Sequence, residues 1–103
     1  MISLVLHNSP YEANFTLSPG ETVTVGRDSN NSKIALPGTC KRCARMHCTI
    51  SYSERIGKFV VEDLSTNGIW DSFGNRLKKG TNYLPSNSSI KLPDEVILNL
   101  KTF

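Results

Sequence analysis

The stretch Thr22–Gly26 reads TVTVG, and its strict alternation of threonine and valine predicts a β-strand with one buried face. Other short runs with strand character lie on either side of it, and turn residues separate them; they cover residues 2–6, 13–17, 33–36, 46–52, 58–64, 69–70, 90–92 and 96–100. Residues 71–77 (DSFGNRL) are interpreted as a hairpin around Gly74. Residues 78–89 are interpreted as a polar connection, and no segment of convincing length has the 3.6-residue period of a helix. The pattern predicts an all-β sandwich of about eleven short strands in two sheets.

Length, composition and charge fit one folded domain and exclude several other classes of protein. The 103 residues are 38% hydrophobic and carry a net charge of +3, which argues against disorder and against a broad nucleic-acid surface. No apolar run approaches the roughly 20 residues that span a bilayer, and the first residues lack the features of a signal peptide. We therefore expect a single domain over residues 1–103, inside the cell, with no membrane and no direct nucleic-acid partner.

Three motifs follow one another along the chain, each where a predicted strand ends or begins. Gly26-Arg27 ends the TVTVG strand, and Ala44–His47 (ARMH) precedes the next long strand. Glu62–Trp70 (EDLSTNGIW) carries a strand into a tight Asn-Gly turn. In this order the motifs resemble the forkhead-associated (FHA) domain, whose pattern is Gly-Arg, Ser-x-x-His and Asp-x-Ser-x-Asn-Gly. The resemblance extends over roughly residues 2–100 and implies a β-sandwich that binds phosphothreonine peptides through loops at one edge.

The resemblance implies a set of binding residues and a set of architectural residues. The binding residues would be Arg27, Arg42, Ala44, Arg45, Thr66 and Asn67, and the architectural ones Gly26, His47, Ser65 and Gly68. Arg27, Arg45 and Thr66 would contact the phosphate, for which a planar guanidinium is well suited. Asn67 would hold the peptide main chain, and Arg42 would read a residue after the phosphothreonine, which hints at an acidic one.

Ala44 departs from the family pattern, because the family has a phosphate-binding serine at this position. A hydrogen bond to a charged group is worth roughly 1.5–3 kcal/mol, so its loss weakens the site. Lys41, Arg42 and Arg45 surround the gap, and a guanidinium contact is at least comparable to the missing hydroxyl. We expect a site that still binds phosphate, more weakly. Two alternatives stay open: a deliberate replacement of the serine, and a degenerate FHA domain with a phosphate-independent interaction or dimerisation surface.

The stretch Cys40–Cys48 (CKRCARMHC) contains all three cysteines and raises the alternative of a small zinc-stabilised domain. Structural zinc sites usually draw two pairs of ligands from separate segments, whereas these residues lie within one short stretch. His47 and Cys48 are adjacent and would point to opposite faces of a strand. We therefore expect no metal and no cofactor, with Cys48 as a buried strand residue and Cys40 and Cys43 as loop thiols.

No nucleophile or cofactor loop indicates an enzyme, so the domain is expected to be a recognition module without a catalytic residue. Domains of the resembled family are usually parts of longer proteins. Because this sequence starts at a methionine and stops just after its last predicted strand, we expect the N-terminal module of a larger signalling protein, which could be a protein kinase. The resemblance also implies a nuclear rather than cytoplasmic setting, with roles such as the cell cycle or the DNA damage response.

Overall fold

The computed structural model describes residues 2–8 and 11–102 and shows two β-sheets of five strands each. Within this part of the chain the strands are β1 (Ile2–Asn8), β2 (Tyr11–Leu17), β3 (Thr22–Gly26), β4 (Ile34–Ala35), β5 (Cys48–Ser53), β6 (Lys58–Asp63), β7 (Trp70–Asp71), β8 (Gly80–Pro85), β9 (Ser88–Leu92) and β10 (Val96–Thr102). These residues include no helix that could cross a membrane. The predicted all-β sandwich is confirmed, with ten strands where about eleven were expected.

The main difference from the prediction is an additional strand, and the bounds of several other strands shift by one or two residues. The segment interpreted as a polar connection contains β8, which pairs with β6 at the edge of its sheet. Only Asn82 and Leu84 of β8 point towards the core, and one of them is polar, so the sequence shows no clear alternation of apolar residues here. β5 begins at Cys48 instead of Met46, whose side chain is 45% exposed.

The pairing of the strands places the ends of β3, β5 and β6 that carry the three motifs at one end of the sandwich. One sheet has the order β2-β1-β10-β9-β7 and the other β4-β3-β5-β6-β8. In the second sheet Val25 lies opposite Cys48, and Cys48 lies opposite Asp63. The loops that follow β3, precede β5 and follow β6 therefore share one end of the sheet. The β5–β6 hairpin, residues 54–57, lies at the opposite end.

The core fills the space between the two sheets, as alternation along the strands predicts. Val23 and Val25 of the TVTVG strand are buried, and Thr22 faces solvent. Phe59 is fully buried and meets Tyr52 edge to face, with 5.0 Å between the ring centroids. Cys48 is fully buried, which confirms its assignment as a buried strand residue. The stiff core supports the three loops at the end of the sheet.

Gly26 lies where β3 passes close to the segment that precedes β5. The N–H of His47 donates to Val25 O at 2.7 Å, and the N–H of Asp28 donates to Arg45 O at 3.1 Å. A Cβ on Gly26 would overlap the carbonyl oxygen of Arg45 and lie 2.6 Å from its carbonyl carbon. Because both obstacles are backbone atoms, only glycine fits here without moving the chain.

The substitution Gly26→Ala is expected to lower the free energy of unfolding by about 1–3 kcal/mol, because the new methyl group forces two backbone segments apart. Urea unfolding of the purified domain measures the change. Gly38→Ala is the matched control, since no described atom lies within 4 Å of a Cβ added there. Equal losses in the two variants would contradict the close approach at Gly26.

Candidate functional site

Three loops, residues 26–28, 41–47 and 64–69, meet at the end of the sheet defined above and carry every predicted site residue. The side chains predicted to bind are exposed, except for half-buried Ala44; they are Arg27, Arg42, Arg45, Thr66 and Asn67. The four residues predicted to be architectural are buried: Gly26, His47, Ser65 and Gly68. The structure thus separates the two sets by burial, while the binding roles stay predictions.

The imidazole of His47 is fully buried and joins two of the loops. Nδ1 accepts a hydrogen bond from the N–H of Ala44 at 3.0 Å, and Nε2 lies 2.9 Å from the carbonyl oxygen of Gly68. A carbonyl can only accept, so Nε2 carries the proton and the ring is neutral. Burial lowers the pKa of His47 below its usual 6.5, although the Gly68 carbonyl and the charge of Asp63 favour the protonated ring. The ring is a brace and has no free nitrogen for acid–base work.

The loop after β6 is held by a second chain of hydrogen bonds. Asp63 Oδ1 accepts from the N–H of Ser65 at 2.9 Å and from its hydroxyl at 2.6 Å. The same hydroxyl oxygen accepts the N–H of Gly68 at 2.9 Å, and Gly68 has φ +95°, which favours glycine. Buried hydrogen bonds therefore hold the turn, and Thr66 and Asn67 at its tip are exposed to solvent.

Arg27 is fixed against the loop that precedes β5. Its Nε donates to the carbonyl oxygen of Cys43 at 2.6 Å, and its backbone N–H donates to Ala44 O at 3.2 Å. This arrangement uses one donor of the guanidinium and leaves the planar Nη pair on an exposed side chain. Such a pair is suited to a phosphate. Arg45 is also exposed, on the same loop as Cys43.

Arg42 and Asn67 contact each other and a residue outside the predicted site. Asn67 Nδ2 donates to the carbonyl oxygen of Arg42 at 2.8 Å. The backbone N–H of Arg42 donates to Asp94 Oδ2 at 2.8 Å, and its Nε donates to Asp94 Oδ1 at 3.0 Å. Asp94 lies in the turn between β9 and β10, and its only sequence signal is the Pro-Asp turn. Sequence reasoning therefore missed the partner of Arg42.

Two further cations support the turn after β6 and were also missed. Arg76 Nη2 donates to Thr66 O at 3.4 Å, and its guanidinium lies 5.7 Å from the ring centroid of Trp70. Lys79 Nζ donates to the carbonyl oxygen of Ser65. The two hydrogen bonds join positions ten or more residues apart on segments with weak strand patterns, so spacing alone does not reveal them.

Two of the three cysteines, Cys40 and Cys43, are more deeply buried than predicted. Cys40 and Cys43 lie in a loop, as expected, but are only 2% and 1% exposed. Asn8 donates to Cys40 Sγ at 3.3 Å, and the thiol of Cys43 donates to Pro93 O at 3.4 Å. Burial raises the pKa of the Cys43 thiol to about 12 and raises that of Cys40 as well. Both thiols are therefore protonated core residues at neutral pH. Among the residues that the structure describes, no group of three or more side chains is arranged to hold a metal.

Comparison with known proteins identifies one family. The family model described as the FHA domain matches residues 23–93, which include all three loops of the site. No curated protein gives a significant match to the sequence.

Solved FHA-domain structures have the same fold. The FHA domain of CT664 from Chlamydia trachomatis is 24% identical, with a TM-score of 0.85 over 99% of this chain and 97% of that one. The MEK1 FHA domain in complex with a phosphothreonine peptide of HOP1 is 24% identical, with a TM-score of 0.74 over 95% and 94%. The N-terminal FHA domain of Rad53p from S. cerevisiae, bound to a phosphothreonine peptide, is 17% identical, with a TM-score of 0.77 over 99% and 93%. At these identities the likeness shows the fold.

The buried neutral ring of His47 should make stability fall in mild acid. In the unfolded chain the imidazole of His47 binds a proton near pH 6.5, whereas its pKa in the folded domain is lower. The contribution of the neutral ring to the free energy of unfolding is therefore complete above pH 6.5 and is lost as the pH falls through the folded pKa. One proton sets a slope of at most about 1.4 kcal/mol per pH unit. Urea unfolding between pH 7.5 and 5 measures it.

The chain has two histidines, which supplies the control. The variant His7→Gln should keep the fall in stability, because the side chain of His7 is 44% exposed. If the stability of the His7→Gln domain no longer depended on pH in this range, the pH dependence would come from His7 and the prediction for His47 would be wrong. Nitrogen NMR of the imidazole should also show the proton on Nε2.

Proposed function

This chain belongs to the FHA domain family, and we propose that it is a phosphothreonine-dependent recognition module that binds a segment of a partner protein. FHA domains are recognition modules and not catalysts. The FHA domains of MEK1 and Rad53p have the same fold and have been solved with phosphothreonine peptides. The observation that carries the proposal is the exposure of Arg27, Thr66 and Asn67 together at one braced end of the sandwich.

The chemistry of these three side chains suits a phosphorylated peptide. A phosphate dianion needs a cation and several oriented donors, which a guanidinium and a threonine hydroxyl supply. A carboxamide can both donate to and accept from a peptide main chain, so Asn67 fits that role. Because Arg27 and the turn after β6 are held from inside by hydrogen bonds, little conformational entropy is lost on binding.

A second candidate function is a degenerate site that recognises a partner without phosphate. Ala44 favours it, because the hydroxyl that the family pattern supplies there is missing. The bond between Asn67 and the Arg42 carbonyl also favours it, because it occupies one donor that a peptide main chain would use. Such a domain would bind phosphorylated and unphosphorylated segments equally. The signalling context and the nuclear setting expected from the family belong to the main proposal.

The main proposal predicts that a phosphothreonine peptide library binds the domain and that its unphosphorylated twin does not. Isothermal titration or fluorescence anisotropy measures both. Arg27→Ala should weaken binding about tenfold to hundredfold, the range for a lost hydrogen bond to a charged group. Arg55→Ala removes the same charge from the hairpin at the opposite end of the sheet and should change nothing. Equal binding of the two libraries would leave the degenerate site as the remaining function.

Restoring the family serine with Ala44→Ser should strengthen phosphopeptide binding by about 1–2 kcal/mol, because it adds a hydroxyl donor to a charged acceptor. The backbone N–H of residue 44 keeps its bond to His47, so the loop stays braced. Ala13→Ser makes the same change at a half-buried position on β2, in the other sheet, and serves as the control. Weaker binding by Ala44→Ser would mean that residue 44 is not the phosphate-facing position of this loop.

A further inference from the structure

The turn between β9 and β10 presents a carboxylate to the guanidinium that is expected to read the peptide. Asp94 accepts from both the backbone N–H and Nε of Arg42, at 2.8 and 3.0 Å. With the bond from Asn67 to the Arg42 carbonyl, residue 42 is held at its N–H, its carbonyl oxygen and its side chain. The Asp94 side chain is 22% exposed and that of Arg42 71%, so the carboxylate lies beneath a guanidinium that faces solvent.

The backbone of the turn keeps the carboxylate in this position. Val96 lies opposite Leu92, so the hairpin is closed by a strand pair immediately beside the turn. Asp94 and Glu95 both have left-handed backbone conformations, with φ of 62° and 61°. The hydrogen bond from the Arg42 N–H, and then the guanidinium itself, hold the pKa of Asp94 below its usual value, so it is charged at neutral pH. Arg42 therefore has a permanent counterion.

We propose that Asp94 is a specificity-determining residue that neutralises Arg42 and removes the preference for an acidic residue after the phosphothreonine. The inference rests on the proposed function and concerns the same site. A peptide carboxylate that approached Arg42 would meet the charge of Asp94 a few ångströms further on, so its attraction to the cation would be offset by repulsion between the carboxylates.

The surrounding groove adds no positive field that could restore the preference. It runs from Arg42 and Asn67 towards Trp70. Its charged lining residues are Asp71, Asp94 and Glu95 against Arg42 and Lys91, together with His7. Three carboxylates therefore face two permanent cations. A peptide segment that follows the phosphothreonine into this groove gains nothing from acidic side chains.

The test is Asp94→Asn, with Glu95→Gln as the matched control. Asparagine tolerates the left-handed conformation and can still accept the Arg42 N–H, so the turn is kept while the charge is removed. Glu95→Gln removes the same charge from the adjacent residue, whose backbone conformation is the same. The probes are phosphothreonine peptides that differ only by aspartate or alanine at each of the four positions after the phosphothreonine.

The unsubstituted domain should bind the aspartate and alanine peptides within about twofold of each other at every position. Asp94→Asn should prefer aspartate at one position by about threefold to tenfold, the range for an ion pair with a free guanidinium. Glu95→Gln should show no such position. The double variant Arg42→Gln with Asp94→Asn should lose the new preference, because the cation that creates it is gone.

Each other outcome overturns the inference. An acidic preference in the unsubstituted domain, or none in Asp94→Asn, would show that Asp94 does not mask Arg42. An equal gain in Glu95→Gln would assign the effect to total charge. Phosphate-dependent binding with unchanged selectivity would reject this inference alone, whereas equal binding of phosphorylated and unphosphorylated peptides by both forms would reject the proposed function with it.

Discussion

The end of the sandwich that carries the candidate site depends on a buried, neutral imidazole that donates one hydrogen bond and accepts another. His47 accepts from the loop that precedes β5 and donates to the loop that follows β6. Protonation would place a second N–H against the N–H of Ala44, so the brace exists only in the neutral ring. Two loops from different parts of the chain thereby acquire a fixed relation to each other. The hydrogen bond from Asn67 to the Arg42 carbonyl joins the same two loops at the surface, and the exposed side chains that they carry are presented as a set.

The other residues of the family pattern serve the same purpose. Gly26 is required by the carbonyl of Arg45, and Asp63 and Ser65 hold the turn through bonds that end at Gly68. Most residues of the family pattern are there because two backbone segments pass close together or because a buried hydrogen bond is needed. Fewer of its residues are exposed side chains that would touch a ligand. The pattern therefore stays recognisable with Ala44 at the position expected to be serine. Membership of the family follows from the scaffold, and binding has to be argued from the exposed residues.

The sequence was sufficient to predict features that depend on local patterns. Alternation predicted the buried face of β3, and three motifs predicted the three loops that meet at one end of the sheet. It was insufficient where distant segments decide the outcome. β8 is an edge strand with few inward apolar residues. Cys40 contacts Asn8 at the end of β1, and Cys43 contacts Pro93 in the turn between β9 and β10. Arg42 and Asp94 are 52 residues apart, and only the assembled sandwich brings them together.

The pairing of Arg42 changes how the missing hydroxyl at Ala44 can be compensated. The sequence suggests that several cations share this task, but the guanidinium of Arg42 already has the carboxylate of Asp94 as its partner and so attracts a further anion less strongly. Arg27 keeps its Nη pair exposed while Nε is anchored to Cys43 O, and Arg45 is exposed beside it. Compensation then falls to these two side chains, one anchored at Nε and one exposed on the loop that precedes β5. A site built in this way would hold phosphate chiefly through these guanidinium groups and the Thr66 hydroxyl, and added salt would screen the charged part of the interaction.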